Sequence, residues 1–390
     1  MAGRRASRDP RIEALRLVAA LGIASFHTFM PWFDALTSQD ATVAALAARP
    51  TAAAALGVVD LLGAYGNNVF FMISGLFLVP AAAKASDGAG YWGAQARKTA
   101  RRSGSILAAV AFYAAIALFV STCIVPNEDV AVGKVDWLTS GLEFIWVYLA
   151  LTVLAPAIGW AWRRIRRRGA AVCALLAAVF VLNAYIAFFS QVPDDAGFLD
   201  WRKLMSAVTY FAAFVTGAYL SERRLSRRNA GAMLGAVAAV AVTAELACAL
   251  AGELELMWDL SYKSTSLISF ALAAASVAFA RSETELDGAR SPAARTPGAG
   301  TQAAGARPQG TLARLAVAAA PGILGFYIAQ SNFSSIWWPV FTDLTGRALE
   351  AWGVGPFFAA GFALSLALLA SLLAFDRLVR APLFRKLGLA

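Results

Sequence analysis

The chain has 390 residues, of which 59% are hydrophobic and only 15% are charged. This composition excludes a soluble globular domain, in which about a quarter of the residues are charged, and it indicates a polytopic membrane protein. The net charge of +10 does not indicate a nucleic-acid partner, because no soluble domain and no basic surface with interspersed aromatic residues accompany it.

Apolar windows of about 19 residues predict ten membrane spans, the first of which is retained as a helix rather than cleaved as a signal peptide. All ten are expected to be helical, because lipid offers the backbone no hydrogen-bond partner. The predicted spans are 12–33, 57–83, 103–126, 142–162, 169–190, 204–221, 230–252, 264–281, 312–330 and 353–376. We therefore expect an all-α bundle of about ten transmembrane helices that forms one integral membrane domain over residues 1–390.

The segments between these spans divide into two sets by charge. One set carries 27 of the 34 Lys and Arg residues and includes both termini, whereas the other carries six. The positive-inside rule therefore predicts that both termini are cytoplasmic, in a multi-pass protein of the cell (inner) membrane. Two stretches, about 34–56 and 331–352, are then the extracytoplasmic loops of appreciable length.

Segment 282–311 is rich in Ala, Gly, Pro, Thr and Arg and has no apolar period, so it predicts a disordered cytoplasmic linker before the last two helices. The three cysteines, Cys123, Cys173 and Cys248, lie in separate apolar spans. Their separation argues against a disulfide framework and against a zinc site, and we expect no bound metal.

Glu13, Arg16 and His27 lie on one stripe of the first predicted helix, and His27 is the only histidine in the chain. Eleven residues make about three turns, so Arg16 and His27 share a face and lie roughly 16 Å apart along the axis. Burying a charged group at hydrocarbon depth costs at least roughly 2.5–3.5 kcal/mol, so such residues usually face a polar cavity. Glu13 is placed to pair with Arg16. His27 is then either a helix-packing residue or a group that accepts and returns a proton.

The second predicted helix carries two adjacent amides, Asn67 and Asn68, and a Ser74-Gly75 step among large apolar residues. Small and amide side chains at these places indicate either close helix packing or the lining of a cavity. Further polar residues lie in or near other spans and are either hydrogen-bonding neighbours of His27 or interfacial residues. They are Asp60, Glu143, Asn183, Glu245 and Gln330.

A basic cluster precedes the third span, and it consists of Arg97, Lys98, Arg101 and Arg102. One interpretation is an ordinary positive-inside cluster that contacts lipid headgroups. The other is a phosphate-binding site, because Arg presents a fork of donors that suits phosphate oxygens.

These motifs resemble the membrane-bound acyltransferase 3 family, which includes polysaccharide and sugar O-acetyltransferases. RIEALRLVAALGIASFHTF is similar to the family's opening helix with its Arg and His, and NNVFFMISGLFLVP to its phenylalanine-rich helix. RKTARR resembles the family's basic motif. GLEFIWVYLALTVLAP and PGILGFYIAQ resemble two later helices. The similarity runs in order along most of the chain.

The resemblance implies O-acyltransferase activity, with an acyl group, most often acetyl, moving from acyl-CoA to a hydroxyl of a surface glycan or lipid-linked sugar. It implies no permanently bound cofactor. His27 matches the family's essential histidine and general base, with Arg16 and Glu13 as its catalytic partners. The basic motif from Arg97 to Arg102 would then bind the coenzyme. The remaining pocket candidates are Asn67, Asn68, Ser74 and Gln330.

Several positions depart from the family's pattern. Glu13 replaces the usual Asp, Gln330 a His, Gly141 a His and Glu143 an aromatic residue, and the Pro that usually follows the basic motif is missing. These differences leave His27 as the remaining candidate base. They also keep two alternatives open, namely a non-catalytic membrane partner of a glycan assembly system and a transporter for a small anion or an acylated sugar.

Overall fold

The structure is a computed structural model that describes residues 9–134, 136–139, 141–190, 201–261, 265–283 and 311–389. These residues are almost entirely helical, and their only β-type pairings are two isolated bridges. The helices longer than one turn are α1 (Pro10–Thr37), α2 (Pro50–Ala85), α3 (Tyr91–Cys123), α4 (Glu143–Arg164), α5 (Arg168–Phe188), α6 (Trp201–Ser221), α7 (Arg227–Ala251), α8 (Leu254–Ser261), α9 (Leu267–Ala280), α10 (Thr311–Ala319), α11 (Ile323–Asn332), α12 (Ser334–Trp352), α13 (Val354–Phe375) and α14 (Ala381–Lys386).

The all-α membrane architecture predicted from the sequence is confirmed. Within the described residues, nine helical stretches are long and apolar enough to cross a membrane, with α10–α11 and α13–α14 each forming one of them. The predicted span 264–281 corresponds to α9, which has 14 residues. At about 1.5 Å per residue α9 is roughly 21 Å long, which is shorter than the hydrocarbon core of a typical bilayer.

The prediction of a loop over 331–352 was wrong, because this stretch forms helix α12. Pro339, Asp343 and Arg347 lower the apolar character of the stretch without breaking the helix, and α12 packs against α1 and α13. The stretch 34–56 is also partly helical. It contains the end of α1, a single turn at Ala44–Ala47 and the start of α2.

Most of the predicted linker 282–311 lies outside the described residues, as do residues 1–8, so the linker stays a prediction. On either side of the gap, α9 ends at Ala280 and α10 begins at Thr311. A single domain over the whole chain likewise stays a prediction.

Helix α2 lies at the centre of the bundle and packs against α1, α4, α6, α7 and α9. Its crossing with α6 depends on two glycines. A Cβ on Gly75 would lie 1.8 Å from the Phe214 backbone oxygen, and one on Gly217 would lie 1.9 Å from that of Met72. The two backbones therefore touch, so Gly75 is a close-packing residue.

Candidate active site

A cavity of about 250 Å³ lies beside His27, between α1, α2, the start of α4, α6 and α11. Its wall combines apolar side chains such as Phe26, Met30 and Phe144 with several polar ones. The polar lining residues are His27, Asn67, Glu143, Ser206, Tyr210, Tyr327, Gln330 and Ser331. A small cavity with a few converging polar groups is the usual form of a ligand site.

His27 is held by contacts to its ring and to its backbone. The imidazole packs against Phe26, with ring centroids 4.8 Å apart, and edge-on against Trp338 at 6.0 Å. Trp338 Nε1 also donates a hydrogen bond to the His27 backbone oxygen. In a regular helix this oxygen would accept from the residue four positions later, which is Pro31 and has no N–H. Trp338 thus replaces the missing backbone donor.

The two ring nitrogens of His27 form no hydrogen bond with any residue that the structure describes. The ring lines the cavity. A neutral imidazole in this position has one nitrogen that accepts a proton and one that donates. His27 is therefore positioned to exchange a proton with a molecule in the cavity.

Asn67 is already engaged within the cavity wall. Its Nδ2 donates to the Tyr210 hydroxyl at 2.9 Å, and the Tyr210 ring stacks on Phe71 with centroids 4.4 Å apart. Asn68, one residue further on, is fully buried and does not line the cavity. Adjacent residues of a helix point about 100° apart, which explains why only one of the two amides reaches the site.

Gln330 enters the cavity from α11 and is only 1% exposed. Neither its Oε1 nor its Nε2 has a hydrogen-bond partner among the described residues. Its backbone oxygen accepts a hydrogen bond from Trp337 Nε1 at 3.1 Å. Buried amides are normally paired, so an unpaired one at a cavity wall indicates a ligand contact.

Arg16 and Glu13 form an ion pair away from this cavity. Arg16 Nη1 lies 3.0 Å from Glu13 Oε2 and 3.2 Å from Oε1, and the Glu13 side chain is 6% exposed. The guanidinium lies 6.0 Å from the centre of the Phe77 ring on α2. Because Asn67 lines the same cavity as His27, α1 and α2 run antiparallel, with Arg16 and Phe77 at one level and His27 and Asn67 at the other.

Six aromatic rings lie between these two levels, and we call them the aromatic layer. In this layer Phe144 stacks on Tyr327 at 4.6 Å, and Phe70 contacts Phe144 at 5.1 Å and Tyr148 at 4.9 Å. The members are Phe70, Phe71, Phe144, Tyr148, Tyr210 and Tyr327. Phe144, Tyr210 and Tyr327 also line the cavity, so the layer forms part of its wall on the Arg16 side.

The basic cluster belongs to the first turns of α3, and all four of its side chains are exposed. The Tyr91 hydroxyl at the start of α3 donates to the Pro156 backbone oxygen on α4 at 2.7 Å. This contact sets the level of the two helices, so that Arg102, three turns further along α3, lies near the level of Tyr148 on α4. The cluster therefore extends to the Arg16 side of the aromatic layer.

Among the further cavities outside this region, two bear on the site. One, of about 660 Å³, is lined by Asp34, Asp60, Glu255 and Trp258 and shares Phe26 and Met30 with the His27 cavity. The other, of about 600 Å³, is surrounded by the arginine run between α4 and α5 together with Arg223. The shared residues show that the acidic cavity adjoins the His27 cavity.

A family model described as an acyltransferase domain matches residues 9–375, which is nearly the whole chain. The chain belongs to the acyltransferase 3 family. This membership makes it an integral membrane acyltransferase, and the match includes the helices that carry Arg16, His27, Asn67 and Gln330. No curated protein and no solved structure matches the chain. The described part of this acyltransferase also has no group of three or more His, Cys, Asp or Glu side chains suited to a metal ion.

The structure brings together only some of the residues singled out from the acyltransferase sequence. His27, Asn67 and Gln330 share the cavity, and so do Gly141 and Glu143. Ser74 lies elsewhere and donates to the Phe70 backbone oxygen at 2.8 Å. Asn183 packs between helices, where its Nδ2 donates to Thr209 Oγ1 at 3.1 Å, and Glu245 is buried against Gly57.

Sequence reasoning missed Tyr210 and Trp338 as parts of the site. Tyr210 is one of several hydroxyl-bearing residues in its apolar span, a signal too common to single it out. Trp338 lies in the stretch predicted as a loop. A useful signal was present nonetheless, because Pro31 lies four residues after His27 and leaves one backbone oxygen without its helical donor.

Proposed function

We propose that this acyltransferase moves an acyl group, acetyl in the first instance, from acyl-CoA to a hydroxyl of a surface glycan or lipid-linked sugar, with His27 as general base. The observation that carries the proposal is the imidazole at the cavity wall, whose ring nitrogens bond to no described residue. A neutral imidazole keeps one ring nitrogen able to accept a proton, which suits the activation of a hydroxyl.

The donor approaches from the side where α1 begins, which we propose to be the cytoplasmic side of the inner membrane because of the bias in Lys and Arg. The phosphates of the coenzyme bind the cluster from Arg97 to Arg102, since guanidinium groups pair well with phosphate oxygens. Arg16, next along this route, is held by Glu13 and is partly exposed. The thioester reaches His27 only when the aromatic layer separates locally.

The acceptor approaches through the acidic cavity that adjoins the site at Phe26 and Met30. Carboxylates accept hydrogen bonds from hydroxyl groups. The carboxylates of Asp34 and Glu255 also repel anions. We therefore propose a neutral or cationic acceptor with several hydroxyls.

The chemistry is a transfer from thioester to oxygen ester. The acceptor hydroxyl oxygen attacks the thioester carbonyl carbon while His27 takes the hydroxyl proton, and the carbonyl π electrons move to oxygen. Collapse of this tetrahedral intermediate restores the carbonyl and breaks the carbon–sulfur bond. The thiolate that leaves then receives the proton from His27, so the products are an ester and the free coenzyme.

The experiment measures transfer of radiolabelled acetyl from acetyl-CoA to cell envelopes of a strain that lacks the gene, using the purified full-length protein. We expect His27→Ala and the bulkier His27→Gln to lower the rate by about 10²–10⁴-fold or more, the usual contribution of a general base. Both variants should still accumulate in membranes. Near-normal transfer by His27→Ala would remove His27 from the mechanism.

The same assay separates the two alternatives. A transporter would move a labelled acyl sugar into vesicles without transferring acetyl from acetyl-CoA. A non-catalytic partner would do neither. Either result for the unmodified protein would contradict the proposed function.

A further inference from the structure

We infer that Gln330 is a catalytic residue, whose Nε2 donates a hydrogen bond to the acyl oxygen as it becomes negatively charged in the tetrahedral intermediate. This inference rests on the proposed function, because it assigns a second group of the same site. It accounts for a side chain that is 1% exposed, lines the His27 cavity and leaves both amide atoms without a partner among the described residues. An unpaired buried amide costs free energy. Its presence at a cavity wall therefore indicates that the substrate supplies the missing hydrogen-bond partner.

The other polar groups near His27 are less suited to this role. Asn67 already donates to Tyr210, and Ser206 Oγ donates to the Arg202 backbone oxygen at 3.1 Å. Glu143 offers a carboxylate, which accepts hydrogen bonds when ionised and would oppose a developing negative charge. The hydroxyls of Ser331, Tyr210 and Tyr327 also line the cavity and are the remaining competitors, and the experiment below includes them.

The helix that carries Gln330 is held firmly. The backbone oxygen of Gln330 accepts a hydrogen bond from Trp337 Nε1 at 3.1 Å. One and a half turns earlier, a Cβ on Gly325 would lie 1.9 Å from Asp376 Oδ1, so α11 touches the Asp376 carboxylate directly. That carboxylate also accepts from the Tyr113 hydroxyl at 2.8 Å. A donor on such a fixed support needs little reorganisation when charge develops in the substrate.

Gln330 acts at one defined step of the reaction, the formation of the tetrahedral intermediate. Attack by the acceptor oxygen shifts the carbonyl π electrons to the acyl oxygen, and the hydrogen bond from Gln330 Nε2–H to that oxygen shortens without transfer of the proton. His27 meanwhile holds the proton taken from the hydroxyl. When the carbon–sulfur bond breaks, the carbonyl is restored and the hydrogen bond from Gln330 weakens again. Gln330 therefore binds the intermediate more tightly than the thioester.

The test compares acetyl transfer by purified full-length variants in the envelope assay. Gln330→Met preserves the size of the side chain and removes the donor, so kcat should fall about 10²–10³-fold while KM for acetyl-CoA stays within a few-fold. Gln330→His restores a donor and should retain at least a tenth of the wild-type kcat. The matched control is Asn332→Leu, because Asn332 is also a buried, unpaired amide on α11 but does not line the cavity.

Three results would overturn the inference. They are a kcat for Gln330→Met within a few-fold of wild type, an equal loss in Asn332→Leu, or a loss confined to one of Ser331→Ala, Tyr210→Phe and Tyr327→Phe, which would assign the acyl oxygen to that hydroxyl. If Gln330→Met does not accumulate, Gln330→Leu and Gln330→His carry the same comparison. Suppose that the wild type transfers acetyl, that His27→Ala abolishes the transfer and that Gln330→Met leaves it unchanged. This result would refute the role of Gln330 but not the proposed function. A wild-type protein without transfer would refute the proposed function as well.

Discussion

Trp338 donates a hydrogen bond to the backbone oxygen of His27, whose ring lines the candidate active-site cavity. The contact joins α12 to α1, more than 300 positions apart in the chain. It exists because Pro31 cannot supply the helical N–H that would otherwise occupy that oxygen. The orientation of His27 therefore depends on a helix that is distant from it in the sequence.

Trp338→Phe removes this donor but keeps an aromatic ring beside His27. We expect the rate of acetyl transfer to fall about 10-fold to 100-fold, because a displacement of about 1 Å in a catalytic group costs up to about 10²-fold. Adding Pro31→Ala to this variant restores a backbone N–H for the His27 oxygen and should recover much of the rate. Trp352→Phe on the same helix, where the side chain is 73% exposed, is the control. A wild-type rate in Trp338→Phe would contradict the role assigned to the contact.

Replacing Arg97 and Arg101 together with Gln should raise the KM for acetyl-CoA strongly. Each charge-assisted hydrogen bond to a phosphate contributes about 1.5–3 kcal/mol, so loss of two is expected to exceed a hundredfold. The KM for the acceptor should change little. The measurement is steady-state transfer at varied acetyl-CoA.

The arginine cavity between α4 and α5 supplies the comparison for that experiment. All five arginines of the run line it, but Arg163 and Arg168 form ion pairs with Asp87 and Glu222. Arg166→Gln with Arg167→Gln should leave the KM within a few-fold. Equal effects at both places would indicate a general surface potential, and a larger effect here would move the donor site to this cavity.

Phe144→Ala should change the selectivity for the acyl chain. Phe144 belongs to the aromatic layer and lines a cavity of only about 250 Å³. One methylene in an apolar pocket is discriminated by about 10–200-fold, so the enlarged cavity should raise kcat/KM for butyryl-CoA relative to acetyl-CoA at least tenfold. Phe188→Ala, on the exposed end of α5, should leave the ratio unchanged. An unchanged ratio in Phe144→Ala would place the acyl chain elsewhere.

The proposed orientation is tested by labelling single cysteines in a variant whose three native cysteines are replaced by serine. Ala45, in the exposed turn between α1 and α2, should react as cysteine with a membrane-impermeant maleimide on intact cells. Ala96, exposed near the start of α3, should react as cysteine only after the cells are opened. The reverse pattern would invert the proposed side of the donor.

The sequence alone determined the features that depend on local periodicity and on apolar length. Stretches of about 20 apolar residues are helical because lipid leaves the backbone no other partner. The Glu13–Arg16 ion pair follows from a spacing of three residues within one helix. The shared face of Arg16 and His27 follows from the same geometry.

Tertiary structure alone decided which polar groups meet at His27. The sequence gives no reason to prefer Asn67 over Asn68 as a site residue. Only Asn67 lines the cavity, because the packing of α2 against α1 and α6 sets the rotation of α2 about its own axis. Gln330 and Trp338 arrive from helices about 300 residues away. Contacts of that kind depend on how whole helices pack, and helix packing depends on side-chain shapes from every neighbouring helix at once, which no local pattern of the sequence contains.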